Sequence, residues 1–147
     1  MANTAKLTLE TVEGDGLRFG AVTGSGQATA LDSGPRKKSP TPVEALLVAL
    51  AGCHAMDVIS ILRKKRQRVT AYEVEVSGER RAEHPRAFTR IEIVHRLTGR
   101  DLSAEAIRQA IELSHTKYCS VKASLDPAID VRNRFEIAAA GVAAPGS

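Results

Sequence analysis

The chain has 147 residues, 43% of them hydrophobic and 26% charged, with a net charge of +4 and a pI of about 9.3. That length supports one hydrophobic core without metals or disulfide staples, and the composition is that of an ordinary globule. There is no Trp, and the aromatic residues are Phe19, Phe88, Phe135, Tyr72 and Tyr118, so aliphatic side chains must do most of the packing.

The opening "MANTAKLTLE" lacks the basic leader and apolar stretch of a secretory signal. The longest uncharged run stops short of the ~20 residues that span a bilayer. The expectation is a cytoplasmic protein with no membrane partner.

In chain order, Leu7 and Leu9 alternate with Lys6, Thr8 and Glu10, which predicts a half-buried strand. "EGDG" at 13–16 is a turn, after which Leu17, Phe19 and Ala21 share one face of a second strand. "TGSG" turns the chain into a weaker third strand, Gln27 to Leu31. These three make an antiparallel meander, followed by the polar loop "DSGPRKKSP".

Thr41-Pro42-Val43-Glu44 starts a helix: Thr41 is the N-cap, Pro42 the first helical residue, and Glu44 reaches back to the cap. The helix is predicted over 41–68. Its first three turns are apolar all round and therefore need protein on every side. Arg63, Lys64, Lys65, Arg66 and Arg68 gather at its C-terminal end, where cations complement free carbonyls.

Two further alternating strands follow, one carrying Tyr72, Val74 and Val76, the other Ile91, Ile93 and Leu97, with "AEHPR" between them. Ser103 caps a second helix with the stripe Ile107, Ala110, Ile111, Ser114 and Tyr118, and Cys119 falls at or just past its end. "LDPA" breaks that helix, and Ile129, Val131, Phe135 and Ile137 form a last strand. The organisation is thus one α+β domain over 1–147: a β meander (1–38), a long central helix (41–68), a β-β-α-β part (69–137) and a flexible tail (138–147).

The chain has two cysteines, Cys53 inside the most apolar segment and Cys119. In the cytoplasm ordinary thiols stay reduced, so the pair reads as inert core residues, metal ligands or redox groups. The two lie too far apart in sequence for a local metal motif.

The stretch "SPTPVEALLVALAGCHAMDV" followed by "SHTKYCSV" resembles the OsmC/Ohr superfamily, in particular its OsmC-like branch, over nearly the whole chain. The resemblance implies an intertwined homodimer with the two long helices packed centrally and the sites at the subunit interface. It implies a thiol-dependent peroxidase that reduces organic hydroperoxides in oxidative stress defence. In that reading Cys53 attacks the peroxide and becomes a sulfenic acid, Cys119 resolves it to a disulfide, and an external dithiol resets the pair. No cofactor or metal is implied. The alternative is a non-catalytic member that binds a small apolar ligand at the dimer interface.

A buried thiol needs a cation to ionise, and Arg18 in "GLRFG" matches the arginine the family uses. Strand alternation leaves open whether Arg18 faces the helix or solvent. The family's arginine-orienting glutamate falls on Val43 here. Glu44 is about 180° around the helix from Cys53, so its expected role is the cap. Ser120 stands where peroxidase members usually carry proline.

His54, Asp57 and His115 together with the cysteines suggest a metal site on paper; the preferred reading is hydrogen-bonded histidines and a surface aspartate. His95, in register with Ile91, Ile93 and Leu97, is expected to be a hydrogen-bonded core residue. The basic runs "RKKRQR" and "PRKK" are expected to form a solvated rim and not a nucleic-acid site.

Overall fold

The computed structural model describes residues 2–139 and confirms the α+β class. The chain divides into two compact units, residues 1–46 and 47–147.

The first unit is the antiparallel meander: β1 (Ala5–Leu9), β2 (Phe19–Thr23) and β3 (Ala28–Leu31), in the order β1-β2-β3. Leu7 pairs with Ala21 and Phe19 with Leu31, so the predicted apolar alternation sets the register. The following loop is held by Asp32, whose carboxylate accepts the backbone N–H groups of Gly34 (2.9 Å) and Lys38 (3.1 Å). Those two donors hold its carboxyl below the usual aspartate range.

Helix α1 (Pro42–Lys64) begins with the reciprocal cap that the sequence predicts. Thr41 Oγ1 accepts the Glu44 N–H at 3.1 Å, and Glu44 Oε1 accepts the Thr41 N–H at 3.0 Å. Its end comes earlier than expected. Arg66 adopts φ 57°, its N–H bonds to the Arg63 carbonyl at 3.0 Å, and the Gln67 N–H bonds to the Leu62 carbonyl at 2.9 Å. This is a Schellman stop with arginine where glycine is usual. Hydropathy gave no sign of it, because the stop depends on one left-handed residue.

The second unit's sheet has β4 (Arg68–Arg80), β5 (Phe88–Arg100) and β6 (Asp130–Ala139), with β5 in the centre. β4 and β5 form the predicted antiparallel hairpin. β6 lies parallel to β5, pairing Val131 with Ile91 and Phe135 with His95. A parallel neighbour needs a crossover, supplied by α2 (Ala104–Leu113), a single π-helical turn (Ser114–Tyr118) and α3 (Ser120–Ala123). Ser103 caps α2 as predicted, accepting the Ala106 N–H at 3.1 Å. Ala138 and Ala139 belong to β6, so the strand extends into the expected tail, whose remainder, 140–147, lies outside the described residues.

The core joins Val58 and Leu62 of α1, Leu97 of β5, and Ala106, Ile107, Ala110 and Ile111 of α2. Each large aliphatic buried here contributes about 1.5–3 kcal/mol. α1 buries only the stripe Leu50, Ala51, His54, Val58 and Leu62 within the chain. Val48 and Met56 are 65% and 72% exposed, so the all-round burial the sequence demands is not met by this one chain. By length and composition alone α1 could cross a membrane, but its buried stripe packs on protein.

Candidate functional site

The site is built where α1 meets the crossover. Cys53 lies midway along α1, half-buried; Cys119 links the π-turn to α3 and is 4% exposed. Both are free thiols, and the Cys53 thiol is a close enough neighbour to act on the Cys119 thiol. Burial, followed by that neighbouring thiol, pushes Cys119 up to about 11; the Lys122 N–H, donated to its sulfur at 3.3 Å, opposes the rise. Cys119 is therefore a neutral thiol near pH 7.

Cys119 ends up there because the second helix changes pitch. Had α2 continued regularly, the Cys119 N–H would bond to His115; it bonds instead to the Ser114 carbonyl, five residues back, at 2.9 Å. The extra residue of the π-turn rotates the following chain. The predicted helical stripe accordingly breaks after Ser114, and Tyr118 is 49% exposed. Its ring carries the Lys117 ammonium 5.3 Å from the centroid.

Ser114 is fully buried and donates its hydroxyl proton to Asp57 Oδ2 at 2.8 Å. Asp57 is thus a half-buried acceptor on α1, one turn beyond Cys53, and not the surface aspartate the sequence suggested. A fully buried serine requires a partner. Ser114 within an apolar stripe was the signal that such a partner exists, though not which residue it is.

A neutral polar chain lies beside this bond. Tyr72 donates to His95 Nδ1 at 2.6 Å, His95 Nε2 donates to Asn133 Oδ1 at 2.9 Å, and Asn133 Nδ2 donates to His115 Nδ1 at 3.4 Å. Each link fixes the next: once Tyr72 is the donor, His95 must carry its proton on Nε2. Burial keeps Tyr72 protonated by raising its pKa, and lowers those of His95 and His115. His95 is the hydrogen-bonded core histidine expected. Asn133 was not singled out in the sequence, where alternation marked its position as inward-facing but not its role.

His54 departs from expectation. It is completely buried, yet neither ring nitrogen has a hydrogen-bond partner among the described residues. The Leu50 carbonyl lies near the ring without hydrogen-bond geometry, and slightly favours protonation. Burial dominates, with His115 and His95 adding to it, and the pKa falls to about 4. Leaving such groups unpaired costs about 1–3 kcal/mol each. Among the described residues, no group of three or more His, Cys, Asp and Glu side chains converges to hold a metal ion.

In the first unit, Arg18 forms an ion pair with Glu10 and donates from Nε to Ser39 Oγ at 3.0 Å. The carboxylate that fixes Arg18 therefore comes from the end of β1 and not from the start of α1, where Val43 lies. A cleft of about 400 Å³ around Arg18 is lined by Glu10, Asp15, Arg36 and Lys38 among others, mixing both signs of charge.

A mixed fold with a long helix presenting one cysteine to a second, chain-distant cysteine defines a two-thiol α+β protein. The chain belongs to the OsmC-like protein family, which matches residues 34–133. It is 43% identical over 126 residues to protein YhfA of Escherichia coli K12, covering 86% of this chain and 94% of that one. A hypothetical protein from Aquifex aeolicus VF5 is 31% identical, with TM-score 0.79 over 95% of this chain and 98% of its own. The fold also matches an organic hydroperoxide resistance protein OsmC from Legionella pneumophila, at 14% identity and TM-score 0.65, over 92% of this chain and 96% of that one.

Proposed function

We propose that this protein is a thiol-dependent peroxidase that reduces organic hydroperoxides. The observation that carries the proposal is the pair of adjacent reduced thiols with unequal surroundings: Cys53 half-buried, Cys119 almost fully buried and held protonated. That asymmetry supports attack by Cys53 and resolution by Cys119.

The Cys53 thiolate attacks the distal oxygen of the hydroperoxide. The O–O bond breaks, the alcohol leaves with a proton from solvent, and Cys53 becomes a sulfenic acid. Cys119 sulfur then attacks the Cys53 sulfur, and its thiol proton leaves with the hydroxyl group as water. A disulfide remains, and two electrons and two protons from an external dithiol restore both thiols. Arg18 is assigned the cation that favours the Cys53 thiolate, and Glu10 the carboxylate that fixes Arg18. The exposed Val48 and Met56 on α1 support a homodimer in which a second copy covers that face. The setting is a soluble protein of the cytoplasm, where dithiol reductants are available.

The test is thiol titration and intact mass before and after one equivalent of cumene hydroperoxide. The expected product has lost both thiols and 2 Da to an intrachain disulfide (two hydrogens); Cys53→Ser abolishes the reaction, and Cys119→Ser stops at the sulfenic acid. Thiols left unchanged in the wild type would sink the peroxidase reading and favour a binding role.

A further inference from the structure

We propose that Asp57 and Ser114 are positioning residues for the cysteine pair, a clamp that joins the two cysteine-bearing segments and sets how readily they form a disulfide. The inference rests on reading the pair as redox-active.

The argument is one of connectivity. Ser114 makes two bonds of different kinds: its hydroxyl donates to Asp57 at 2.8 Å, and its carbonyl accepts the Cys119 N–H at 2.9 Å. Asp57 is four residues beyond Cys53 in α1, about one turn and on nearly the same face. A single buried residue therefore ties the helix of Cys53 to the backbone of Cys119. The route from one cysteine to the other runs through one side-chain bond, one backbone bond and a turn of helix.

The remaining contacts of Cys119 fix its orientation. Its sulfur accepts the Lys122 N–H at 3.3 Å and its carbonyl accepts the Ala123 N–H at 3.1 Å. Cys119 is thus held on its upstream side by Ser114 and on its downstream side by α3. The π-turn makes the arrangement possible, because an α-helical path would hand the Cys119 amide to His115 and leave Ser114 without it. Irregular turns of this kind cost hydrogen-bond quality and tend to occur where geometry is needed for function.

Disulfide formation depends on the effective concentration of one sulfur at the other, and loosening either segment lowers it. Removing the Ser114 hydroxyl leaves Asp57 without its donor while both cysteines and the α3 contacts remain. The disulfide should then be easier to reduce, even though neither clamp residue touches sulfur.

The experiment equilibrates the full-length protein with glutathione buffers: protein disulfide plus two glutathione thiols gives protein dithiol plus glutathione disulfide. The intrachain disulfide is quantified by mass after acid quenching and alkylation. Ser114→Ala and Asp57→Ala are each expected to lower the equilibrium constant for disulfide formation about tenfold, or about 30 mV. Ser114→Thr keeps the hydroxyl and Asp57→Asn keeps an acceptor oxygen, and both are expected within about threefold of wild type. The double Ala variant should lose no more than either single variant, because one bond is removed only once.

A merely structural role would destabilise reduced and oxidised forms alike and leave the constant unmoved. Wild-type constants in both folded Ala variants would therefore overturn the clamp. Should Ser114→Ala fail to fold, Asp57→Ala with its Asn rescue decides alone. The readout uses no peroxide: a tenfold shift supports the clamp even if cumene hydroperoxide is not reduced, and peroxide reduction with no shift refutes the clamp while leaving the peroxidase reading intact. Failure of wild type to form the disulfide overturns both.

Discussion

His54 and His115 face each other with ring centroids 5.8 Å apart and planes tilted by 60°. Neither can be protonated without placing a cation beside the other in a buried setting. His54 has its pKa reduced from 6.5 to about 4, chiefly by burial, then by His115 and His95. In the unfolded chain the ring takes up its proton near pH 6.5, and in the folded chain not until about pH 4. Stability present at pH 7 is therefore lost as the pH falls through that window, by at most about 1.4 kcal/mol per pH unit for one histidine. Asp57 opposes the trend as the weakest contribution, while the lowered values of His95 and His115 reinforce it. Urea unfolding should show about 2 kcal/mol less stability at pH 5 than at pH 7 from His54 alone. His54→Leu removes the titrating ring and both orphan nitrogens, and the variant should lose correspondingly less on acidification. An identical pH dependence in wild type and His54→Leu would refute the assignment.

Much of this arrangement was legible in the sequence, and what was not has physical reasons. The meander, the α1 cap, the β4–β5 hairpin and the inward register of His95 follow from alternation, turn residues and capping chemistry, all local properties. The Asp57–Ser114 bond links α1 to the π-turn, and no local pattern names such a partner. Glu10 and Arg18 are the nearer case: they come together because they flank the turn between β1 and β2, a pairing that alternation alone did not single out. The π-turn was hidden because five residues of π-helix read as helix in any periodicity. Glu44 shows the opposite case: helical angles sufficed to separate it from Cys53, and the cap is what the structure contains.

That cap separates stability from chemistry. Thr41→Ala removes the acceptor for the Glu44 N–H and should cost about 1 kcal/mol. Glu44→Gln keeps an oxygen able to accept the Thr41 N–H and should cost only a few tenths. Neither should change the rate at which a thiol reagent modifies Cys53, because Glu44 is about half a helical circumference away from it. Denaturation midpoints and thiol modification kinetics on the same samples check both halves. A several-fold change in Cys53 reactivity in Glu44→Gln would mean that the carboxylate influences the sulfur.

Arg66 ends α1 at φ 57°, where a side chain is disfavoured and glycine is the usual occupant. The left-handed conformation costs an L-residue roughly 1–2 kcal/mol, part of which is offset by the greater flexibility glycine brings to the unfolded chain. Arg66→Gly should therefore stabilise the protein by about 0.5–1 kcal/mol. It also removes one cation from the exposed cluster with Arg63 and Lys64, so raised salt in the unfolding measurement separates backbone relief from reduced charge repulsion. Stabilisation that disappears in high salt would assign the gain to charge alone.

Two glycines on facing strands should respond differently to the same added methyl group. At Gly78 a Cβ would fall 2.5 Å from Phe88 Cε1, a contact with an aromatic ring that is itself buried. At Gly99 it would fall 2.1 Å from the Arg68 carbonyl oxygen, in the irregular pairing between Val69 and Ala71 of β4 and the end of β5. A ring can rotate or shift within its packing, whereas a backbone carbonyl moves only if the strand moves. Gly78→Ala should thus cost about 1–2 kcal/mol, and Gly99→Ala about 3 kcal/mol or more, the upper end of overpacking. Since Gly99 lies beside the Arg68 end of β4, directly after the α1 stop, Gly99→Ala should also speed amide exchange there, at Arg68 and Val69. Equal costs at the two sites, or unaltered exchange at the strand end, would show that the bulge yields to the methyl group as easily as the ring does.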